Sequence, residues 1–282
     1  MFGDTIASSV KKQKMFKSVK LQTSSCSTLR GVFEEEMISE ERIAELSGSW
    51  MNPPGTVCKR GSSTVAYIVD NMFVKCSPAG AFLRAVRKAF TVSRSMRSLK
   101  MSVALNAIGI PTPKVYCAVR ESNFLLPVCD YLVTEKTDDR IITFGNNCPT
   151  EKWEQFFSSV CRLLNKMHCA NICHGDASVR NFYIIDKKDG NFDIGVIDLD
   201  ACKKVFLPFR RNTFIKEDAR FISSFIISAE LAETTESVSE ICNKYLDSGI
   251  SDYYTRQSHR NLLIKYTVAY LGKTKRYPKQ GF

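Results

Sequence analysis

Short apolar runs broken by turn residues dominate the chain between Thr56 and Lys75. A Gly61-Ser62-Ser63 turn and an Asp70-Asn71 dipeptide separate three runs that are rich in β-forming residues. Small and Asx residues between apolar runs are typical of β-hairpin turns. This pattern predicts a small antiparallel sheet. Two further strands are predicted around a turn at 120–123, and they are Val115–Ala118 and Leu132–Glu135.

Helical periodicity follows in two long segments. Between Ala81 and Ile108 apolar residues recur at roughly helical spacing, and Gly109 and Pro111 end the segment. After Pro149, a stripe at i, i+3, i+4 and i+7 predicts an amphipathic helix whose apolar face belongs to the core rather than to a ligand site. The stripe comprises Trp153, Phe156, Phe157, Val160, Leu163, Leu164 and Met167.

The rest of the second half contains shorter segments. Phe182–Ile185 and Ile194–Leu199 are rich in β-forming residues, and we expect them to form a hairpin around a turn at 187–191. From about residue 214 to residue 270 the pattern predicts two or three helices, with a break near Ser248-Gly249.

The order of these elements predicts an α+β fold with a small antiparallel sheet lobe and a larger, mostly helical lobe. We place the N-terminal lobe at 51–135 and the C-terminal lobe at 136–282, with a linker at 135–147. Residues 1–50 are predicted to be an arm and a short helix. The arm, residues 1 to about 30, is rich in Ser, Thr and Lys and is expected to be poorly ordered. The short acidic helix is expected within Glu34–Leu46.

The charge of the chain favours anionic partners. It has 282 residues, and 40 Lys and Arg against 29 Asp and Glu give a formal charge of +11. Nucleotide, nucleic acid and a membrane surface all fit this charge, and so does a simple solvated basic surface. No signal-peptide pattern and no apolar run of about 18 residues occurs. We therefore expect a cytoplasmic protein, with peripheral binding to the inner face of the cytoplasmic membrane as an open alternative.

Cysteine usage indicates reduced thiols. The 11 cysteines are odd in number and scattered, which is typical of a cytosolic protein. Cys169 and Cys173 lie beside His168 and His174, so a zinc cluster is an alternative. Because no Cys-x-x-Cys pair occurs, the sequence gives this alternative little support.

The strongest chemical signal begins at His174-Gly175-Asp176. In kinases the catalytic loop runs His-x-Asp, four residues, then Asn, and Asp176 and Asn181 have this spacing here. Asp198 follows the next apolar strand, where kinases have a metal-binding Asp. We predict Asp176 as the catalytic base, Asn181 and Asp198 as ligands of Mg²⁺, and His174 as a hydrogen-bonding brace of the loop.

Nucleotide-binding residues are expected in the predicted sheet. Lys75 ends the last strand of the Thr56–Lys75 segment, where kinases have the lysine that pairs with the α- and β-phosphates of ATP. Gly61 and Ser62 are expected to let backbone N–H groups approach phosphate oxygens. The glycine pattern Gly-x-Gly-x-x-Gly is missing from this turn.

The sequence resembles the bacterial lipopolysaccharide core kinases, which phosphorylate Kdo or heptose of the inner core and are distant relatives of protein kinases. The resemblance covers roughly residues 56–225. It implies a two-lobed protein-kinase-like fold, ATP and Mg²⁺ as cofactors, the roles given above, and Glu135 at the hinge between lobes. The motifs that carry it are Ser93–Arg97, Gly109–Pro113, Tyr131–Glu135, Leu163–His168, His174–Phe182, Ile197–Asp200 and Glu217–Phe221.

Two departures from the family pattern keep other functions open, whereas a comparison with protein kinases narrows them. The family has Lys two residues after the catalytic Asp, whereas this chain has Ser178, with Arg180 as a candidate substitute cation. No acidic residue lies between Ala81 and Ile108 to pair with Lys75, so a pseudokinase scaffold or regulatory nucleotide-binding protein is the main alternative. Gly175 replaces the Arg of protein-kinase loops and no Ala-Pro-Glu follows, which favours a sugar kinase over an atypical protein kinase or another small-molecule kinase.

The leading interpretation is an ATP-dependent kinase of a Kdo or heptose hydroxyl. Its basic segment Arg84–Lys100 is expected to face anionic substrate or lipid, or simply solvent. Nucleic acid is not an expected partner, because no aromatic-basic stacking pattern or zinc module occurs.

Overall fold

The computed structural model of the protein describes residues 16–24, 26–137, 152–186, 192–229, 235–247 and 256–274. The chain divides into two compact units, Met1–Asp138 and Asp139–Phe282. The predicted linker beyond residue 137, the turn at 187–191 and the break at Ser248-Gly249 lie outside the described residues.

A seven-stranded antiparallel sheet forms the first unit, in the order β1-β2-β6-β7-β5-β4-β3. The hairpins predicted between Thr56 and Lys75 are confirmed, and Asp70 and Asn71 form a turn with φ of 48° and 60°. Positive φ at both central residues is the geometry that such tight hairpin turns require. The strands are β1 Lys17–Gln22, β2 Ser27–Phe33, β3 Thr56–Arg60, β4 Val65–Val69, β5 Met72–Pro78, β6 Val115–Asn123 and β7 Leu126–Glu135.

The prediction of a poorly ordered arm up to about residue 30 is wrong for Lys17–Gln22 and for the start of β2 from Ser27 onward, because β1 and β2 are strands of this sheet. β2 pairs with β6 along its whole length, and Leu29 and Phe33 are buried. A Cβ at Gly31 would lie 2.1 Å from the carbonyl oxygen of Ala118, so this glycine allows the two backbones to approach. The partner strand β6 supplies burial and hydrogen bonds that cannot be predicted from the polar local sequence.

The turn predicted at 120–123 is also wrong, because β6 continues to Asn123 and the chain turns at Phe124. The polar residues that suggested a turn lie inside the sheet instead. Glu121 is 5% exposed and accepts hydrogen bonds from the hydroxyls of Ser27, Ser47 and Tyr131 at 3.1, 2.8 and 2.6 Å. A buried carboxylate is tolerated because these donors replace the water that it loses.

Within its described residues, the first unit has three helices: α1 Glu40–Ala44, α2 Phe82–Ala89 and α3 Arg94–Ala107. The helical segment predicted between Ala81 and Ile108 is thus interrupted. Ser93 starts α3 by accepting a hydrogen bond from Met96 N, and Asp130 on β7 accepts one from Arg94 N at 2.9 Å. These acceptors satisfy backbone N–H groups at the start of α3, which is why a new helix begins there.

The second unit contains four helices and two short β-ribbons within its described part. The apolar stripe predicted after Pro149 lies on the first of these helices and is buried from Phe156 to Met167, as predicted. β9 pairs with β10, and β8 pairs with β11. The elements are α4 Trp153–Cys169, β8 Ile172–Cys173, β9 Phe182–Asp186, β10 Phe192–Val196, β11 Lys203–Lys204, α5 Arg210–Ser228, α6 Thr235–Asp247 and α7 Arg256–Thr274.

Among the residues described, none of the helices is both long and apolar enough to cross a bilayer.

A buried ionic network joins α4, α5 and α6. His168 Nε2 lies 2.9 Å from Glu217 Oε2, and its Nδ1 lies 3.7 Å from Asp218 Oδ1. Tyr245 donates a hydrogen bond of 2.6 Å to the same oxygen of Asp218. Phe214 stacks on the His168 ring with 4.1 Å between centroids. Two carboxylates and one imidazole therefore share an interior from which water is largely excluded.

Burial and charge act on these groups in opposite directions. Burial would lower the pKa of His168, but the charges of Asp218 and Glu217 outweigh it and hold that pKa above its usual value. Burial would raise the pKa of Glu217, yet its hydrogen bond with His168 leaves it lowered. Burial raises the pKa of Asp218 to about 6, although His168 and Tyr245 partly offset the rise.

The His168→Gln variant is expected to destabilise the protein more at about pH 6 than at about pH 9. Because the folded pKa of His168 is raised, its contribution is fully present below its unfolded pKa and is lost as the pH rises through the folded pKa. Removing one partner of a buried ion pair costs about 3 kcal/mol, and we expect a loss of this order at the lower pH. Urea unfolding at the two pH values measures both losses.

His259→Gln is the matched control for this experiment. His259 is buried, and burial lowers its pKa to about 4, so it carries no charge at either pH. Its replacement is expected to cost less at about pH 6 than at about pH 9, because at the lower pH the unfolded His259 takes up a proton that the folded one does not. The pH dependence of the control is therefore opposite in sign to that expected for His168→Gln. An equal loss at both pH values for His168→Gln would contradict the charged role of His168 in the network.

Candidate active site

The loop between β8 and β9 brings together Asp176, the predicted base, and Asn181, a predicted metal ligand. Asn181 Nδ2 donates hydrogen bonds to the Asp176 backbone oxygen at 2.7 Å and to Asp176 Oδ2 at 3.3 Å. Gly175 has a φ of 80°, and a Cβ there would lie 2.5 Å from the Ala201 carbonyl oxygen. The glycine next to Asp176 therefore meets a steric and conformational requirement of the loop.

Asp198 lies two residues after the end of β10 and is linked to this loop through its neighbour Ile197. Ile197 N donates to the Asn181 carbonyl at 3.0 Å, and His174 Nε2 donates to the Ile197 carbonyl at 3.0 Å. The bracing contact predicted for His174 is thus present. Asp198 itself is exposed and has left-handed backbone angles, φ 60° and ψ 56°. Such angles are unfavourable for a non-glycine residue and cluster at functional sites.

Glu217 of helix α5 holds the loop around Asp176 in place through hydrogen bonds. Its Oε1 accepts hydrogen bonds from Gly175 N at 2.6 Å and from Cys173 Sγ at 3.1 Å. Burial, together with Glu217, raises the pKa of the Cys173 thiol, so this thiol keeps its proton and donates it. Ser224 Oγ, two turns further along α5, accepts from Val179 N at 3.0 Å. The backbone before and after Asp176 is therefore held by one helix.

Two guanidinium groups flank the carboxylate of Asp176. Arg220 Nη1 lies 2.9 Å from Asp176 Oδ1 and also donates to the Gly175 carbonyl at 2.9 Å. Arg180 Nη2 lies 3.7 Å from Oδ2. Each carboxylate oxygen thus faces its own cation. Asp176 remains one-third exposed, so the carboxylate is oriented but still accessible.

Glu217 and Arg220 are functional candidates for which the sequence predicted no role. A signal was available, because Glu217 lies on an otherwise apolar helical face with Phe214 three residues before it and Phe221 four residues after it. A charged residue at a core position of an amphipathic helix indicates a buried partner. The identity of that partner, 42 residues earlier in the chain, is a tertiary contact.

The residues of this loop fit a divalent metal that is bound largely by phosphates. The amide nitrogen of Asn181 faces Asp176, which leaves its carbonyl oxygen as the atom to coordinate a cation. Within the described part of the chain, no group of three or more His, Cys, Asp or Glu side chains is arranged to hold a metal. An Asp–Asn pair suits Mg²⁺, which commonly takes one or two protein carboxylates and completes its shell with water and phosphate.

The predicted nucleotide residues lie in the first unit. Lys75 is on β5, between Ala66 of β4 and Leu132 of β7, and Leu132 belongs to the face that packs on α3. Gly61 and Ser62 form the exposed β3–β4 turn, which opens onto a cavity of ≈ 600 Å³.

Glu135 lies at the other end of these strands. It pairs with Met72 at the start of β5, whereas Val65, next to the β3–β4 turn, pairs with Cys76. Four residues of strand, about 13 Å, separate the two positions. The Glu135 carboxylate accepts a hydrogen bond from Lys114 N at 2.7 Å.

Known structures resemble this fold. The structure titled "WaaP in complex with acyl carrier protein" matches with a TM-score of 0.51 and 16% identity, over 79% of this chain and 91% of that one. The Rio2 kinase from Chaetomium thermophilum matches with a TM-score of 0.43 and 13% identity, over 98% and 87%. The bifunctional kinase-methyltransferase WbdD matches with a TM-score of 0.39 and 13% identity, over 77% and 44%. The likeness to WaaP confirms the predicted α+β, protein-kinase-like fold.

Sequence comparison gives the family. No curated protein matches the chain. The family model for the lipopolysaccharide kinase (Kdo/WaaP) family matches residues 58–220, more than half of the chain. The matched region includes the loop around Asp176 and ends at Arg220, the residue that contacts its carboxylate. The chain therefore belongs to the lipopolysaccharide kinase (Kdo/WaaP) family and is a kinase of a sugar hydroxyl in the lipopolysaccharide core, with ATP as the donor that this family implies.

Proposed function

We propose that this kinase transfers the γ-phosphoryl group of ATP to a Kdo or heptose hydroxyl of the lipopolysaccharide inner core, with Asp176 as the catalytic base. The observation that carries the proposal is the pairing of Asp176 with Asn181 on one loop, joined by hydrogen bonds to the strand end that presents Asp198. Phosphoryl transfer requires mainly a positioned carboxylate and groups that neutralise the charge of the phosphates.

Asp176 receives the proton of the acceptor hydroxyl as the new oxygen–phosphorus bond forms. The bond between the γ-phosphorus and the β–γ bridging oxygen breaks, and ADP leaves with that oxygen. Arg220 and Asn181 hold the two carboxylate oxygens, so Asp176 need not reorient during the reaction. Arg180, 66% exposed and next to Asp176, is suited to neutralise charge on the moving phosphoryl group.

The remaining groups bind the nucleotide. Asn181 and Asp198 would hold Mg²⁺, which supplies charge neutralisation to the phosphates. In this proposal Lys75 pairs with the phosphates, backbone N–H groups at Gly61 and Ser62 cover them, and Glu135 contributes at the hinge. Their location on a single sheet supports these roles, because one rigid element can then present them together.

Peripheral binding to the cytoplasmic membrane surface is also part of the proposal. Helix α2 leaves Phe82 and Leu83 67% and 81% exposed, beside the basic residues of the same helix. The β6–β7 turn leaves Phe124 and Leu125 83% and 87% exposed. We call these four side chains, with Arg84, Arg87 and Lys88, the apolar–basic surface.

Strand register supports a common location for its two parts. Ala79, three residues before Phe82, donates a backbone hydrogen bond to Val128, three residues after Leu125. Both segments therefore lie at the same end of the paired strands β5 and β7. Exposed aromatic and leucine side chains with neighbouring cations suit an interface of acyl chains and anionic headgroups.

Replacing Asp176 by Asn is expected to lower kcat about a hundredfold to ten-thousandfold, because an amide cannot accept the proton. Transfer of phosphate to core oligosaccharide, followed by mass spectrometry, measures the rate. Asp193→Asn is the matched control, because Asp193 is exposed on β10, and it should retain wild-type activity. If Asp176→Asn turned over at more than a tenth of the wild-type rate, Asp176 would not be the base.

Replacing Asp198 by Asn is expected to raise the Mg²⁺ concentration for half-maximal activity about tenfold or more, since a carboxylate ligand becomes neutral. Excess Mg²⁺ should restore part of the rate. A Mg²⁺ titration of wild type, Asp198→Asn and Asp193→Asn provides the measurement. An unchanged Mg²⁺ requirement in Asp198→Asn would remove Asp198 from the metal site.

The double variant Phe82→Ser/Leu83→Ser is expected to lose most binding to vesicles that contain anionic phospholipid, because about 1.5–3 kcal/mol of transfer free energy is lost per side chain. Vesicle co-sedimentation measures this, with Val268→Ser, exposed on α7, as control. Binding of the wild type to an acyl carrier protein, the partner in the WaaP structure, without binding to vesicles would refute the membrane assignment.

A further inference from the structure

Cations from α5 and the end of α7 lie over two tyrosine rings of α7. Lys216 Nζ lies 5.4 Å from the centroid of the Tyr266 ring, and Arg220 Cζ lies 5.6 Å from that of Tyr270. Lys273 Nζ lies 5.8 Å from the Tyr270 centroid. These distances are in the range of cation–π contacts. We call Lys216, Arg220, Tyr266, Tyr270 and Lys273 the cationic ladder.

Helical geometry makes the contacts consecutive. Lys216 and Arg220 are four residues apart, as are Tyr266 and Tyr270, so each pair spans about one helical turn. The two cation–ring contacts are therefore two rungs about 6 Å apart. The second rung reaches the reaction centre, because Arg220 Nη1 lies 2.9 Å from Asp176 Oδ1.

The ladder faces solvent rather than the core. Lys216 and Lys273 are exposed, and both tyrosines are half-buried. Helix α7 contains no acidic residue, and the carboxylates of Glu217 and Asp218 on α5 are buried in the His168 network. Within the residues that the structure describes, no carboxylate forms an ion pair with Lys216 or Lys273. The positive charges of Lys216 and Lys273 are thus available to a ligand, whereas Arg220 is paired with Asp176.

Aromatic rings and fixed cations recognise different parts of an acidic sugar. The apolar face of a sugar ring packs on a tyrosine, while Lys and Arg pair with a carboxylate or phosphate. Cation–π contact holds the side chains in place before binding, which reduces the entropy lost on association.

We infer that the cationic ladder is the acceptor subsite of this kinase and that it selects a saccharide carrying an oxyanion beside the reacting hydroxyl. The inference rests on the proposed function and narrows it. Of the two proposed acceptors, Kdo is a sugar acid with a carboxylate, and a heptose has none. The oxyanion belongs either to the acceptor sugar itself or to a phosphate on a neighbouring sugar.

The test is steady-state kinetics of Lys216→Gln/Lys273→Gln with deacylated core oligosaccharide as acceptor. We expect KM for the oligosaccharide to rise about tenfold, while kcat stays within about twofold and KM for ATP is unchanged. Lys265→Gln is the matched control. Lys265 is exposed on the same helix but lies about 100° around it from Tyr266, and its replacement should leave KM unchanged.

Two modified acceptors identify the source of the oxyanion. One has its carboxylates converted to amides and the other has its phosphates removed. The modification that removes the recognised group should raise KM for the wild type and have little further effect on the double variant, because both changes remove the same interaction. If neither modification raises KM for the wild type, charge is not what the site selects.

Other outcomes separate the inference from the proposed function. If KM for the oligosaccharide is unchanged in Lys216→Gln/Lys273→Gln, the inference is overturned and the kinase assignment stays intact. The same holds if the double variant raises KM equally for the native and the modified acceptors. A fall in kcat and melting temperature without a KM change would assign the ladder to helix packing alone. Absence of phosphate transfer to the core oligosaccharide by wild type would overturn the proposed function, and the inference with it.

Discussion

The hydrogen bond from Gly175 N to Glu217 Oε1 is the contact on which the geometry of the active-site loop depends. Glu217 is 4% exposed, and a carboxylate without water is tolerated only if other groups satisfy it. His168 supplies the charge, while Gly175 and Cys173 supply donors. Because this carboxylate cannot leave its partners without a large cost, the backbone next to Asp176 is held in place. Asp218 and Tyr245 extend the same network to α6.

The position of Asp176 then follows from groups that act on each side of it. Asn181 and Arg220 take one carboxylate oxygen each, and His174 joins the loop to the strand end before Asp198. A base that is already oriented loses little free energy when the acceptor binds. The same Arg220 belongs to the cationic ladder on α5 and α7. Arg220 therefore links the Asp176 loop to the cationic ladder.

The basic composition of the chain is distributed over different surfaces. In the first unit, cations of α2 accompany exposed apolar side chains, a combination suited to an interface. In the second unit, Lys216, Arg220 and Lys273 accompany tyrosine rings beside the candidate base. A net charge of +11 could not distinguish these arrangements, since it does not record which side chains share a face.

The sequence by itself determined the local structures that depend on short-range spacing. The Asp176–Asn181 interval, the hairpin turn at Asp70-Asn71 and the apolar stripe of α4 are short-range patterns, and short-range backbone geometry converts them directly into structure. Only the tertiary structure decided the membership of β1 and β2 in the sheet and the anchoring of Gly175 by Glu217. It also decided which side chains of α5 and α7 come together in the cationic ladder. These depend on contacts between residues tens of positions apart, where polar side chains are satisfied by partners that no local pattern specifies.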